Sequence, residues 1–269
     1  MNHAMTTIST GGYSTSDSSF AQFADLPSHW IAIVFMILGA LPFTIYVHFL
    51  IKHQWQVFNH QQIRGFLLTI IALSLFITAH MSVRTDIDFI HAITYSTFNM
   101  VSVITTTGFA SGDYSQWGPL AVAAFFFAMF IGGCSGSTSG GIKVFRFQLL
   151  FMMMQESIVR AMIRRYYNNR PVDDSIVLSA VTFVFIMIVS LVFITLLLAA
   201  SGLDLTTSLT GAATALMNVG PGLGDTIGPA GNFSSLPAFS KWVISVDMLL
   251  GRLEFMTVIF LLTPTYWKS

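Results

Sequence analysis

The chain alternates long apolar runs with shorter polar stretches. Trp30–Ile51 and Ile176–Ala200 contain no Asp, Glu, Lys or Arg until the run ends. A helix needs about 20 apolar residues to cross roughly 30 Å of hydrocarbon, so each run predicts a spanning helix. Gly65–Met81 and Trp242–Leu262 are of spanning length too, although the second carries charges. Asp88–Thr105 and Thr206–Met217 are too short or too mixed to span. Leu120–Ile131 opens another helix, which Gly132–Gly141 interrupts with Gly, Ser, Thr and Cys. At about 1.5 Å per residue, the segment from Pro119 to Ile131 covers roughly 20 Å, so the break falls inside the bilayer. The pattern predicts an all-α integral membrane protein.

Composition agrees. Hydrophobic residues make up 54% of the 269 and charged ones 9%, against about 25% charged in a soluble domain. Four spanning runs leave too few polar residues to cover them in water. Net charge is zero, which points away from a nucleic-acid partner. The single cysteine, Cys134, excludes an intrachain disulfide. Met1-Asn2-His3-Ala4 has neither the basic nor the apolar region of a secretory signal.

Charge gives orientation. One set of polar regions (Met1–Ser28, Ser82–Gly118, Gly202–Lys241) holds Asp17, Asp25, Asp86, Asp88, Asp113, Asp204 and Asp225 against Arg84 and Lys241. The alternate set (Lys52–Arg64, Arg160–Asp174 and the C-terminus) holds Lys52, Arg64, Arg160, Arg164, Arg165, Arg170 and Lys268 against Asp173 and Asp174. Loops rich in Lys and Arg stay in the cytoplasm, so the acidic set faces outside. There the acids either solvate loops or concentrate cations near an entrance.

Three outward segments align on a glycine: Thr6–Asp17, Ser102–Asp113 and Ala215–Asp225. The alignment places Gly12, Gly108 and Gly222 together, each followed by a large apolar residue, Tyr13, Phe109 or Leu223. The second and third segments share a frame of spanning helix, short helix, loop and spanning helix. Such a loop must dip into the membrane and return. Irregular backbone at that depth is tolerated only where it is buried in protein or lines a watery cavity. Backbone carbonyls there can replace the hydration shell of a cation. Aiming successive carbonyls inward takes unusual φ and ψ, which glycine adopts readily. Thr and Ser add hydroxyl oxygens, and the C-termini of short helices add partial negative charge.

These residues resemble the Trk/Ktr/HKT superfamily of K⁺ transporters, which includes bacterial TrkH and KtrB and fungal Trk, and they are nearest to TrkH. Ile8–Ser14, Ile104–Phe109 and Asn218–Gly224 look like its second, third and fourth filter loops. Gly132–Lys143 looks like its intramembrane gating loop, and Gly251-Arg252-Leu253-Glu254 like the signature of its last helix. The resemblance implies repeated helix–pore helix–filter loop–helix units around a central pore. Residues 1–63 would be the remainder of a second unit, 64–170 a third with its gating loop at 132–141, and 171–269 a fourth. The family uses four units in one chain. The first filter is missing here, and Met1 would fall inside a pore helix, as in a fragment of a longer protein.

The implied K⁺ filter comprises Thr10, Gly11, Gly12, Thr106, Thr107, Gly108, Asn218, Val219, Gly220 and Gly222. The implied gate comprises Gly132, Gly133, Ser135, Gly136, Ser137, Thr138, Gly140, Gly141 and Arg252. Without the resemblance, the glycine-rich break reads equally well as a static kink. An arginine midway along a spanning helix is costly and needs company, from Asp247, Glu254 or the carbonyls of the break. Lys143 and Arg146 either join it or snorkel toward the cytoplasm.

The resemblance further implies K⁺ as the transported ion with no covalent cofactor, a bacterial inner-membrane location, a homodimer, and a cytoplasmic nucleotide-binding regulatory subunit of the TrkA kind. The basic loop Arg160–Arg170 fits either that subunit or anionic lipid headgroups. Three rivals stand beside K⁺ uptake. One is a non-conducting or accessory membrane subunit. Another is passage of Na⁺, which the three glycines disfavour. The last is an intramembrane serine protease at Gly133-Cys134-Ser135-Gly136, but all seven histidines precede Ser135, whereas the rhomboid base comes later in the chain.

Overall fold

The structure is a computed structural model that describes residues 1–23, 25–52, 60–85, 87–159, 166–167, 170–171, 173–253 and 267. Its elements are helical apart from a two-residue antiparallel ladder that pairs Tyr166–Tyr167 with Arg170–Pro171. In order, the helices are α1 (Asn2–Ile8), α2 (Leu26–Gly39), α3 (Phe43–Lys52), α4 (Gln61–Arg84), α5 (Phe89–Ile104), α6 (Pro119–Ala128), α7 (Val144–Val159), α8 (Asp174–Ala200), α9 (Leu205–Met217) and α10 (Ala238–Arg252).

Among the described residues, α4 and α8 are each long and apolar enough to cross a membrane. The run Trp30–Ile51 is not the single span its composition predicts. It is divided into α2 and α3, which meet at 87°. Pro42 is the reason, since it has no N–H to continue the helix and its ring crowds the preceding turn. The carbonyl of Leu38, four residues before Pro42, instead accepts from Tyr46 Oη at 2.6 Å. The predicted span Trp242–Leu262 begins in α10, and its part beyond Leu253 lies outside the described residues.

Burial is inverted relative to a soluble protein. The long helix α8 presents Leu178, Phe185, Val192, Phe193 and Leu196 outward, where lipid replaces water. The short helices are enclosed. Every residue of α5 from Phe98 to Ile104 is buried, as is every residue of α9 from Thr210 to Met217. These enclosed helices carry Thr94, Ser96, Asn99, Ser102, Thr207, Thr210 and Thr214 inside the fold. A buried polar group needs a partner, and several of these turn to the loops that follow. Asn99 grips Ser111 twice, from Nδ2 to Oγ at 2.8 Å and through the Ser111 N–H to Oδ1 at 3.0 Å.

Several of the loop acids have a local duty. Asp25, Asp88 and Asp204 cap the N-termini of α2, α5 and α9, accepting from the amides of Ser28, Ile90 and Thr207 at 2.9, 3.3 and 3.0 Å. Each satisfies one of the free amides that a helix start leaves. The bond from Thr207 holds the Asp204 carboxyl below the usual carboxylate range, and that from Ser28 does the same for Asp25.

Candidate functional site

Three short helices, α1, α5 and α9, end in loops with one backbone pattern. Thr10, Thr106 and Asn218 are left-handed, with φ of 50°, 55° and 57°. Two residues on, Gly12, Gly108 and Gly220 are left-handed again, at 65°, 81° and 114°. The residue between sends its amide to the carbonyl five places back: Gly11 to Thr6 at 2.8 Å, Thr107 to Ser102 at 2.9 Å, Val219 to Thr214 at 3.0 Å.

This frame corrects the sequence alignment of the third loop. Gly220, not Gly222, holds the place of Gly12 and Gly108. Gly222 is not left-handed. It is buried, its amide bonds the carbonyl of Ile227 at 2.7 Å, and it packs against the Ile227 side chain and Thr210. The apolar follower misleads here because Pro221 stands where Tyr13 and Phe109 stand in the other loops.

The loops sit shoulder to shoulder. A Cβ on Gly12 would lie 1.8 Å from the carbonyl oxygen of Thr107, and one on Gly108 would lie 2.1 Å from that of Val219. Only glycine permits either approach. The other flank of Gly220 is exposed, and no fourth loop covers it among the described residues. Beside the loops lies a cavity of ≈ 690 Å³. Thr10, Gly11, Gly12, Thr107, Gly108, Asn218, Val219 and Gly220 all line it, with Asp17 and Arg252. Thr106 and Gly222 do not.

The break at Gly132–Gly141 is an ordered loop. Its neck is a bridge between Ile131 and Ile142, with the amide of Gly132 on the carbonyl of Ile142 at 2.8 Å. Inside it, Ser137 Oγ donates to the Cys134 carbonyl at 2.6 Å, and the Gly133 amide donates to Ser139 Oγ at 2.9 Å. Ser135 and Gly136 form its exposed tip. The loop docks on the elbow between α2 and α3. Cys134 N–H bonds the Ala40 carbonyl at 2.9 Å, Thr138 Oγ1 the Gly39 carbonyl at 2.9 Å, and Phe43 N–H the Gly136 carbonyl at 2.9 Å. Three contacts tie it to the filter-like loops: Gly140 N–H to Thr106 Oγ1 at 2.6 Å, Thr10 Oγ1 to Thr138 Oγ1 at 3.1 Å, and Thr138 Oγ1 to the Ile8 carbonyl at 3.4 Å. Sequence reading missed these side-chain ties and the elbow. Pro42, three residues after Gly39, was the available sign of the latter.

The charged residues divide. Lys143 turns back into the loop and donates to the Ser139 carbonyl. The Arg146 guanidinium lies over the Phe183 ring, 3.8 Å from its centroid. Arg252 faces the cavity and makes no ion pair with Asp247. Asp247 is fully buried, and its carboxylate oxygens have no hydrogen-bond partner among the described residues. Glu254, the other expected companion, lies outside the described residues, as do Arg160, Arg164, Arg165, Asn168 and Asn169 of the basic loop.

Protease chemistry finds no support in this geometry. No hydrogen bond joins Ser135 to a histidine among the described residues, and His80 Nε2 is engaged with the Trp117 carbonyl at 3.1 Å. No cluster of metal-ligating side chains occurs among the described residues.

Residues 1–268 match the protein family described as "TrkH: Cation transport protein". The Trk system potassium uptake protein TrkI of Halomonas elongata is 46% identical over 99% of this chain and 55% of its own length. The Trk system potassium uptake protein TrkH of Escherichia coli K12 is 31% identical over 100% of this chain and 56% of its own. The crystal structure of the potassium transporter TrkH from Vibrio parahaemolyticus superposes with a TM-score of 0.90 at 29% identity, covering 98% of this chain and 58% of that one. The chain thus spans just over half the length of the relatives it matches.

Proposed function

Because this chain belongs to the TrkH family of cation transport proteins, we propose that its three repeated loops are three quarters of a selectivity filter for K⁺ uptake. The observation that carries this reading is the shared backbone at Thr10–Gly12, Thr106–Gly108 and Asn218–Gly220, packed side by side along one cavity. Carbonyls from such a ring take the place of an ion's water. Gly220 serves as the glycine of the last quarter, with Gly222 in its packing shell. The names of the relatives, Trk system potassium uptake proteins, favour K⁺ as the ion.

The units run over residues 1–63, 64–170 and 171–269, and a further loop closes the ring against Gly220. The loop at 132–141 is the gate beneath the filter. Arg252 adds positive charge to the same cavity and raises the barrier to a passing cation. The full-length protein sits in the bacterial inner membrane as a multi-pass homodimer among lipids. It works with a cytoplasmic nucleotide-binding subunit of the TrkA kind. The open flank of Gly220 favours a second statement, that these 269 residues alone do not conduct.

Growth rescue of a bacterium deficient in K⁺ uptake tests both. The full-length protein is expected to restore growth at low K⁺, and residues 1–269 alone are not. Failure of the full-length protein, once shown in the membrane, would overturn the K⁺ reading. Rescue by the short chain would overturn the three-quarter reading. In the full-length protein Gly108→Ser places a Cβ 2.1 Å from the Val219 carbonyl oxygen and is expected to abolish K⁺ uptake or its selectivity over Na⁺, and unchanged uptake and selectivity would remove Gly108 from the filter.

A further inference from the structure

The residue two places before each filter glycine has a property that carbonyl coordination does not require. Thr10, Thr106 and Asn218 are left-handed without being glycine, and for β-branched threonine that backbone is a genuine outlier. Strain of this kind persists only where surroundings hold it. Each of the three side chains reaches out of its own loop to a different element. Thr106 Oγ1 accepts the Gly140 amide at 2.6 Å. Thr10 Oγ1 shares its proton between the Ser9 carbonyl of its own loop at 2.8 Å and Thr138 Oγ1 at 3.1 Å, and the Thr138 hydroxyl donates to the Gly39 carbonyl at 2.9 Å, with the Ile8 carbonyl at 3.4 Å. Asn218 Nδ2 donates to the Met248 carbonyl at 3.1 Å, one helical turn before Arg252.

Two of these bonds hold the same loop, at positions 138 and 140. The contact is therefore between the filter loops and the break itself, with no intervening element.

We propose that Thr10 and Thr106, through Thr138 and the Gly140 amide, form a latch that couples filter order to gate position. This rests on the filter-and-gate reading above. The gate loop leaves its seat only when both bonds break. Their loss leaves Thr10 and Thr106 held left-handed only by the backbone bonds to Thr6 and Ser102, and the adjoining carbonyls lose part of their order. Linkage between two sites is reciprocal, so K⁺ in the filter, by ordering those carbonyls, favours the seated loop. Thr138 is a positioning residue in this scheme and touches no ion.

Cys134 provides the readout. It lies in the gate loop, is fully buried, and is held through its amide by Ala40, so its thiol reacts only when the loop leaves. The full-length protein, with Cys134 as its only thiol, is reconstituted in liposomes. A small methanethiosulfonate reagent is then applied in K⁺ or in N-methyl-D-glucamine. Modification of the wild type is expected to be about threefold to tenfold slower in K⁺, the scale of one net hydrogen bond. Thr138→Val, which keeps shape and loses the hydroxyl, is expected to react fast in both solutions. Thr138→Ser is expected to behave as wild type.

The wild-type arm needs no variant to fold. A wild-type rate indifferent to K⁺, alongside normal K⁺ flux, would overturn the latch and leave the filter standing. So would Thr138→Val with unchanged rates. Absence of K⁺ flux from the wild type would sink the filter reading and the latch with it.

Discussion

The loops at Thr106–Gly108 and Asn218–Gly220 share a backbone and differ in their surroundings. Both are left-handed at the first and third positions, and both hang the middle amide on the carbonyl five residues back. Thr106 and Thr107 are at most 2% exposed, and Gly108 has a neighbouring loop on either side. Gly220 is exposed. Local sequence therefore sets the turn of each loop, while adjacent repeats set its enclosure.

The largest test of that division is Gly108→Ala against Gly220→Ala. At Gly108 the new Cβ meets a backbone oxygen at 2.1 Å, which no rotamer change relieves. At Gly220 its nearest neighbour is 3.5 Å away, leaving the backbone strain of about 1–3 kcal/mol. In residues 1–269, where Gly220 is open, Gly108→Ala is expected to lower the melting temperature well beyond Gly220→Ala. Equal losses would mean that enclosure does not separate the loops.

A smaller contrast lies one layer out. Ser102 Oγ donates to the Phe109 carbonyl at 2.7 Å in a fully buried setting. Ser102→Ala leaves that carbonyl without its donor, at a cost of about 1–3 kcal/mol. Thr214 Oγ1 accepts the Gly220 amide at 3.0 Å beside the cavity, where water can substitute. Thr214→Val is expected to cost about 1 kcal/mol or less. Thermal unfolding in detergent decides whether the order holds.

Sequence made much of this legible. The short mixed-polarity stretches became α5 and α9 nearly to the residue, because enclosed helices around a polar path must carry threonines that a lipid-facing helix does not. The Thr-Gly segments stood out for the same reason. Three things were not legible. Hydropathy counts side chains and overlooks the backbone, so Pro42 was lost inside an uncharged run. The segment Gly220-Pro221-Gly222-Leu223-Gly224 offers three glycines, and composition does not tell which one is left-handed in the filter frame. The ties from Thr10 to Thr138 and from Thr106 to Gly140 join residues 128 and 34 positions apart, which no local period reports.

Two weaker perturbations probe the last repeat alone. Asp247 is buried without a hydrogen-bond partner among the described residues, and such a group costs on the order of 1 kcal/mol or more. Asp247→Leu is expected to raise the melting temperature, and a drop would reveal a partner. Asp204→Ala should lower stability by about 1 kcal/mol through loss of the α9 cap. The Asp204 carboxyl is held below its ordinary value, so its contribution is complete above that ordinary value. It fades as pH falls through the depressed one. The gap between wild type and Asp204→Ala should close on acidification, and a gap that widened there would contradict the sign.

The elbow between α2 and α3 bears on what the proposed gating would demand. By breaking at Pro42, the chain leaves Gly39 and Ala40 carbonyls and the Phe43 amide without helical partners, and the loop at 132–141 supplies all three. A swing of the loop away from the elbow would strand these groups, and those of the loop itself, at a depth where nothing else bonds them. The elbow must then travel with the loop, or water must follow the loop in. In the second case, with the loop acting as the proposed gate, hydration would itself be a step of opening, and the passage would be wet before any ion enters it.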